Sequence, residues 1–194
     1  MKTVKQSVST KSHESGKPKS ASASGDSPLV LAQTLLAAGE TDRAMSVLKD
    51  GGSTDAITNA RGVCLMRSGR AASALELYRH LVVKTGCTWL RPDTPVIHRT
   101  NYCTALLLSG HPDGAVELIH SIEEQSHPSV VRLQQAVTTW QSKLTLWQRL
   151  QWKLGLVPNV PFQLGFPPGD VLDPVTTPRA DSPLPTDVPL KQAV

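Results

Sequence analysis

The central part of the chain alternates between short apolar patterns and single glycines. Between residues 59 and 82, apolar side chains recur at steps of three and four, stop at Gly69, and then recur in the same way. This period is that of an α-helix with one buried face, and a glycine at a helix end lets the chain turn back sharply. The stretch therefore predicts a helical hairpin, and the neighbouring stretches predict further hairpins.

The whole pattern predicts seven helices. Pro28 begins the first and Gly39 ends it, which matches the preference for proline in the first helical turn and glycine after the last. The second lies between Thr41 and Gly51, and the others cover 55–68, 71–84, 96–109, the stretch from Pro112 to His127, and 129–154. We therefore expect an all-α fold, a short α-α superhelix of antiparallel hairpins with a long C-terminal capping helix.

Three of the predicted hairpins share one arrangement around their turn glycines. Each first helix has a small residue seven positions before the glycine and a leucine four positions before it. Each second helix has an alanine five positions after the glycine and a larger apolar residue four positions further on. The residues that define this register include Gly39, Ala44, Gly62, Leu65, Gly69, Ala74, Tyr78, Leu106, Gly110 and Ala115. Because small side chains let two helices cross closely, the arrangement predicts a stack of similar hairpins.

This arrangement resembles the tetratricopeptide repeat. Residues 55–86 match best, although Gly86 stands where the family has its closing proline. The turn glycines lie 30 and then 41 residues apart, so the spacing of the repeats is irregular. The resemblance implies about three repeats in a right-handed stack whose concave groove binds a peptide or a helical segment. It implies no catalysis.

Two segments outside the predicted helices lack apolar periodicity. Residues 1–27 are rich in Ser and Lys, and residues 157–194 are rich in Pro. Such compositions do not bury enough apolar surface to offset the entropy lost on ordering. We expect a disordered basic tail, a helical domain over 28–156, and a largely disordered Pro-rich tail. Residues 160–166 are apolar enough to dock on the helices, whereas disorder is expected after Gly169.

The last predicted helix carries more apolar side chains than one buried face holds. Its tryptophans are Trp140, Trp147 and Trp152, and its basic residues include Lys143, Arg149 and Lys153 without an acidic partner. Three interpretations stay open for this surface. It is a cap covered by residues 160–166, it binds a second copy of the chain, or its basic, Trp-rich part over 140–156 lies on an anionic membrane surface.

The net charge of +4 is unevenly distributed along the chain. Residues 1–27 carry +3 and residues 128–156 carry +4, whereas 28–127 carry −1 and 157–194 carry −2. One tail and one helix do not make a basic domain, so the pattern disfavours nucleic acid as a partner. The chain has no apolar run long enough for a membrane span, no recognisable leader, and three cysteines. We therefore expect a cytoplasmic protein without a disulfide framework.

The sequence contains no recognisable catalytic or metal-binding motif. Five histidines lack ligand spacing and are expected to be solvated or to cap helices: His80, His98, His111, His120 and His127. Glu123 and Glu124 end a predicted helix and are expected to form a solvated face. We predict a non-enzymatic protein without a cofactor.

Four arginines on the middle hairpin are the candidate residues for partner binding. They are Arg61, Arg67, Arg70 and Arg79. In a groove, guanidinium groups bind carboxylates through paired hydrogen bonds, so an acidic peptide end is a possible ligand. The alternative is an ordinary solvated helix surface. In either case the expected partner is a protein or a peptide.

Overall fold

Helices account for most of the part of the chain that the structure describes. The structure, a computed structural model, describes residues 27–84, 86, 89–91 and 93–175. Within these ranges there are eight helices and no strand: α1 (Pro28–Ala37), α2 (Thr41–Asp50), α3 (Asp55–Arg67), α4 (Ala71–Val82), α5 (Val96–Leu108), α6 (Pro112–Ser121), α7 (Pro128–Ser142) and α8 (Leu146–Lys153). The predicted all-α class is confirmed. The predicted basic tail up to residue 26, Cys87, and residues 176–194 lie outside the described residues.

The helices form pairs that stack in two layers. α1 packs on α2, α3 on α4, and α5 on α6. The first helices also contact one another in order, α1 with α3, α3 with α5, and α5 with α7. The first helices therefore form one layer of the stack. We call the surface that α3, α5 and α7 form in this layer the inner groove.

The same turn closes each of the first three pairs. Gly39, Gly69 and Gly110 have φ values of 78°, 75° and 82°, a backbone region that favours glycine. The residue after each glycine donates its N–H to the carbonyl of the leucine five positions earlier, at 2.8, 2.9 and 2.9 Å respectively. This bond satisfies a helix-end carbonyl in the way of the Schellman motif. The glycine spacing thus corresponds to an identical local geometry in the three pairs.

Small residues lie where the two helices of a pair approach each other. Ala44, Ala74 and Ala115 are fully buried in the second helices. The larger residues four positions later, Leu48, Tyr78 and Ile119, are buried as well. The core is formed mainly by these second-helix positions and the inward faces of α3 and α5.

The last predicted helix is two helices in the structure. α7 ends at Ser142 and α8 begins at Leu146, so the prediction of one long capping helix over 129–154 is corrected. The break has a local cause, because Thr145 and Gln148 form a reciprocal capping box at the start of α8. Arg149 also donates to the carbonyl oxygens of Leu144 and Ser142, at 3.0 and 2.8 Å, and so stabilises the end of α7.

Residues beyond Gly169, where the sequence predicts disorder, have a defined place in the structure up to Val175. Val171 is buried, and Asp170 forms hydrogen bonds with three helices. The predicted docking of residues 160–166 agrees with the packing of Phe162 and Phe166 against the core. The division of the chain into a helical domain and two tails stays a prediction.

One polar residue, His98, is less solvated than the sequence predicts, whereas Glu124 is exposed as predicted. His98 in α5 is 4% exposed, so it is a core histidine and not a surface one. Glu124 accepts a hydrogen bond of 2.7 Å from the buried Arg99, and this bond holds the pKa of the Glu124 carboxyl below its usual value. The glutamate therefore neutralises the Arg99 guanidinium, which lies on a buried face of α5.

Candidate functional site

The inner groove is occupied by a non-helical part of the same chain. Residues 166–173, which we call the groove segment, lie against α3, α5 and α7. Gly169 and Val171 are buried in it, and Asp170 is partly buried. The groove segment is fixed mainly through its backbone and through two carboxylates, those of Asp170 and Asp173, and Asp173 Oδ1 lies 3.2 Å from His127 Nε2.

Asn101 holds the backbone of the groove segment with both ends of its amide. Its Nδ2 donates to the Asp170 carbonyl oxygen at 2.8 Å, and its Oδ1 accepts from the Asp170 N–H at 2.9 Å. A single α5 side chain therefore pairs both backbone polar groups of one residue. This contact recognises a peptide backbone whatever side chain it carries.

A second amide supports the first. Asn59 in α3 donates from Nδ2 to the carbonyl oxygens of Asp170 and Val171, at 3.1 and 3.4 Å. Its Oδ1 accepts from Asn101 Nδ2 at 2.7 Å and from the Tyr78 hydroxyl at 3.3 Å. Burial raises the pKa of Tyr78 well above its ordinary value, so its hydroxyl stays protonated and remains a donor. The network fixes the orientation of both amides.

The Asp170 carboxylate binds to the start of α7. It accepts a hydrogen bond of 2.7 Å from the Ser129 hydroxyl and pairs with the Arg132 guanidinium. The same guanidinium lies over the Phe166 ring, with Cζ 4.6 Å from the ring centroid. Arg132 thus contacts the groove segment by an ion pair and by a cation–π interaction.

Arg67 contacts the groove segment from α3. Its Nε donates to the Pro168 carbonyl oxygen at 3.1 Å, and one terminal nitrogen donates to Gly169 at 3.0 Å. The other terminal nitrogen donates to the Leu36 carbonyl oxygen at the end of α1, at 3.2 Å. Desolvation lowers the pKa of Arg67, while the nearby Asp170 carboxylate acts in the opposite direction. Arg67 thus links the first pair to the groove.

Gly169 fits the groove because it has no side chain. A Cβ at this position would lie 2.7 Å from Met66 Cε and 2.9 Å from Val63 Cγ2. Its φ of 80° is also in the region that favours glycine. Two independent constraints therefore favour glycine at position 169: the space available for a side chain and the backbone conformation.

Of the four candidate arginines, only Arg67 contacts the groove segment. Arg61 donates to the Leu48 and Gly52 carbonyl oxygens, at 2.7 and 2.8 Å, and so closes the end of α2. Arg61 and Arg70 both line an outer cavity of about 530 Å³ with residues of α2 and α4. Arg79 is exposed on α4 and lines a different cavity. The four side chains do not form one cluster, and their role in partner binding stays a prediction.

The tryptophans of the last two helices lie in different environments. Trp140 is buried and packs edge-on against Trp152, with ring centroids 5.3 Å apart, and against Phe162 at 5.8 Å. Trp147 is 67% exposed. Other large apolar side chains exposed in and after α8 are Leu146, Leu150, Leu154, Leu156 and Val157. The tail therefore covers Trp140 but leaves one face of α8 open.

Within the described residues, none of the helices is both long and apolar enough to cross a membrane. In the same ranges, no group of three or more His, Cys, Asp or Glu side chains is placed to hold a metal ion.

A comparison with family models identifies the repeat. The model described as tetratricopeptide repeat matches residues 29–49, which span most of α1 and α2. This match supports the assignment of the chain to the tetratricopeptide repeat family. The matched pair is the first one, whereas the sequence register is closest to the family in residues 55–86. No curated protein and no solved structure matches the chain.

The residues that form the inner groove can be placed on the repeats. The second and third pairs carry the same glycine turn as the matched first pair, so the first helices of all three lie in one layer. The groove residues Asn59, Arg67 and Asn101 come from the first helices of the second and third repeats. Arg67 is the one predicted partner-binding residue that contacts the groove segment, and His127, expected to be solvated or to cap a helix, contacts it through Asp173.

Proposed function

We propose that this tetratricopeptide repeat protein is a non-enzymatic interaction module whose inner groove binds a non-helical protein segment. The observation that carries the proposal is the Asn101 amide, which pairs with both the N–H and the carbonyl of one backbone residue. This geometry suits a peptide ligand and supplies no reacting group. A cytoplasmic location belongs to the proposal, because Cys64 and Cys103 are free thiols in the core.

The proposal is tested by selecting binding peptides and asking whether they use the inner groove. Random peptides displayed on phage are selected on the full-length protein, and the affinities of the enriched peptides are measured by fluorescence anisotropy. Asn101→Ala removes the backbone clamp and should weaken binding at least about tenfold, the effect of about 1.4 kcal/mol. Gln135→Ala on the exposed face of α7 is the control and should leave the affinity unchanged.

Two results would contradict the peptide-binding proposal. One is that no peptide is enriched on a chain whose far-UV circular dichroism shows it to be folded. The other is that the enriched peptides bind Asn101→Ala as tightly as the wild type, which would locate the binding surface outside the inner groove.

A second candidate function is docking to an anionic membrane through α8. Leu146, Leu150 and Leu154 follow one another at steps of four, so they lie on one helix face, and all three are exposed. Lys153 lies beside this face, and Arg149 is exposed on the same helix. An exposed apolar face bordered by cations is typical of helices that lie in a membrane interface. The same face is also a candidate surface for self-association.

Vesicle flotation separates membrane docking from self-association. Wild-type protein should float with vesicles that contain phosphatidylserine, and Leu150→Glu should reduce the bound fraction at least about tenfold. Gln135→Glu adds the same charge on exposed α7 and is the matched control. If the wild type stays in the aqueous fraction, membrane docking is excluded. A dimer that Leu150→Glu dissociates would instead favour self-association.

A further inference from the structure

The groove segment has the features of a bound ligand and not of a core element. It has no helix or strand, and most of its polar contacts would serve any backbone that lay in the same place. Among its side chains Val171 is buried in the core, and Phe166 and Leu172 are partly buried against it. In the connection before the groove segment, exposed positions such as Val157, Asn159 and Gln163 alternate with less exposed ones, of which Phe162 packs against the core.

The groove, by contrast, requires an occupant. Asn59, Asn101 and Ser129 are 0%, 1% and 1% exposed with the groove segment in place. If it left and nothing replaced it, these buried groups would lose hydrogen bonds that the pocket walls do not supply. Exchange for another peptide is therefore favoured over an empty groove.

Three positions of the groove segment determine which peptide can replace it. Gly169 is selected by the space near Val63 and Met66. The next residue presents a carboxylate to Ser129 and Arg132. The residue after that, Val171, is buried and branched. The specificity is thus glycine, then aspartate, then a small apolar residue.

We infer that the groove segment is an internal competitor and that the external ligand is a protein segment with the same order, glycine, aspartate and a small branched apolar residue. This inference rests on the proposed function and adds the ligand class and its regulation. A tethered segment acts at an effective concentration of about millimolar, so it weakens the binding of an external peptide. A partner then binds tightly only where it brings a better match or where the groove segment is released.

The test uses a labelled peptide with the sequence of residues 164–175 and full-length protein. Gly169→Ala in the protein blocks docking of its own segment and leaves the groove residues unchanged. This variant should bind the peptide at least about tenfold more tightly than the wild type. Gly165→Ala is the matched control, because a Cβ there meets nothing within 4 Å, and it should bind like the wild type.

The specificity is tested on the same variant. A second peptide has alanine in place of the glycine that precedes aspartate. Its affinity for Gly169→Ala should be at least about tenfold weaker than that of the native peptide, because the alanine Cβ meets Val63 and Met66. Adding Asn101→Ala to Gly169→Ala should abolish the gain in peptide affinity that Gly169→Ala shows over the wild type. Equal binding of the two peptides would overturn the assigned ligand class.

The outcomes distinguish the inference from the proposed function. Gly169→Ala and Gly165→Ala could bind the peptide with equal affinity and still lose that binding when Asn101 is changed to alanine. This result would overturn the internal competitor but would support the peptide groove. If the folded Gly169→Ala protein binds neither this peptide nor any selected one, the peptide groove itself is overturned. A wild-type dimer that Gly169→Ala dissociates would overturn the internal assignment in favour of a second copy of the chain.

Hydrogen exchange on the wild type keeps the test valid if Gly169→Ala does not fold. Excess unlabelled peptide should speed the exchange of the protein's own Asp170 and Val171 amides, because their segment is displaced. Unchanged exchange at millimolar peptide would overturn the inference. Asp170→Asn, which keeps the backbone contacts and removes the charge, should bind the labelled peptide more tightly than the wild type does.

Discussion

Gly62 and Tyr78 show how close two helices of one pair come. A Cβ on Gly62 would lie 2.4 Å from Tyr78 Cζ and 2.6 Å from its hydroxyl oxygen. The same hydroxyl donates to the Asn59 carbonyl oxygen at 2.9 Å. The ring that fills the crossing therefore also orients the amide network of the inner groove, so the packing of the pair and the geometry of the groove depend on one residue.

Gly62→Ala is expected to destabilise the protein by about 1–3 kcal/mol, because the added methyl displaces the Tyr78 ring. The control is Gly114→Ala in α6, where a Cβ meets nothing within 4 Å. There the better helix propensity of alanine should stabilise by about 0.5–1 kcal/mol. Urea unfolding measures both, and stabilisation by Gly62→Ala would contradict the close crossing.

His98 is expected to make stability depend on pH. Burial lowers its pKa below the ordinary value of 6.5, with Asp55 acting weakly in the opposite direction. The unfolded chain therefore binds a proton that the folded chain does not as the pH falls through 6.5. The free energy of unfolding should fall toward pH 5, by at most about 1.4 kcal/mol per pH unit.

Urea unfolding at several pH values between 5 and 8 tests this prediction. His98→Gln should reduce the slope of stability against pH over this range. The matched variant is His111→Gln, at an exposed turn position. If the two variants change the slope equally, the buried histidine is not its cause.

At the scale of the helices, α8 depends on its cap. It has eight residues and no buried one, so packing contributes little to holding it. The Thr145 hydroxyl accepts from the Gln148 N–H at 3.3 Å, and the Thr145 N–H donates to Gln148 Oε1 at 2.9 Å. Thr145→Ala should cost about 1 kcal/mol locally.

Amide hydrogen exchange is the suitable measurement, because the effect is confined to one helix. A loss of about 1 kcal/mol should speed exchange in α8 about fivefold while the melting temperature of the whole protein changes little. Thr139→Ala in α7 is the control, since that hydroxyl bonds only to the Gln135 carbonyl of its own helix. Unchanged α8 exchange in Thr145→Ala would show that the cap does not hold the helix.

The helices and their turns could be predicted because their signals are local. The turn at Gly69 lies within a few residues of the leucine and alanine that define its register, and the structure gives it a positive φ. The break at Thr145 was also readable, since threonine followed three positions later by glutamine is a capping-box signature. Because apolar residues continue at helical spacing across residues 133–154, the sequence pattern predicted one uninterrupted helix instead.

The inner groove could not be predicted because its partners are distant in sequence. Asn59 is 111 residues from Asp170, and no periodicity connects them. The sequence did contain one indication of the groove. Asn59 and Asn101 lie on the inward side of helices where burial is expected, and buried amides require hydrogen-bond partners. That signal indicates that a partner exists but does not identify it.

For the whole molecule, the groove segment connects neighbouring repeats. Its contacts reach α3, α5 and α7, and Arg67 extends them to the end of α1. A linear stack otherwise transmits stability only between adjacent repeats. We therefore expect the described repeats to open as one unit.

Two buried thiols report on this cooperativity. Cys64 in α3 and Cys103 in α5 are fully buried, and burial raises the pKa of Cys64 to about 11 and that of Cys103 to about 12. At pH 8 they should therefore react with a thiol reagent only when the protein opens. In a Cys87→Ser chain, mass spectrometry of the two sites should give rates that agree within about twofold.

The contrary result has a defined meaning. Labelling of Cys64 about tenfold faster than Cys103 would show that the repeats open separately from the N-terminal side. Gly169→Ala is expected to separate the two rates, since it removes the connection between the repeats.

The 111 residues between Asn59 and Asp170 also set an order of events during synthesis. At about 5–20 residues per second, the ribosome needs roughly 6–22 s to proceed from one to the other. The second and third repeats are complete before the groove segment exists, so each nascent chain has its Asn59 and Asn101 amides without their occupant. If the groove segment is the internal competitor that we propose, a partner that meets the chain on the ribosome would bind an open groove, whereas one that arrives later would have to displace the segment.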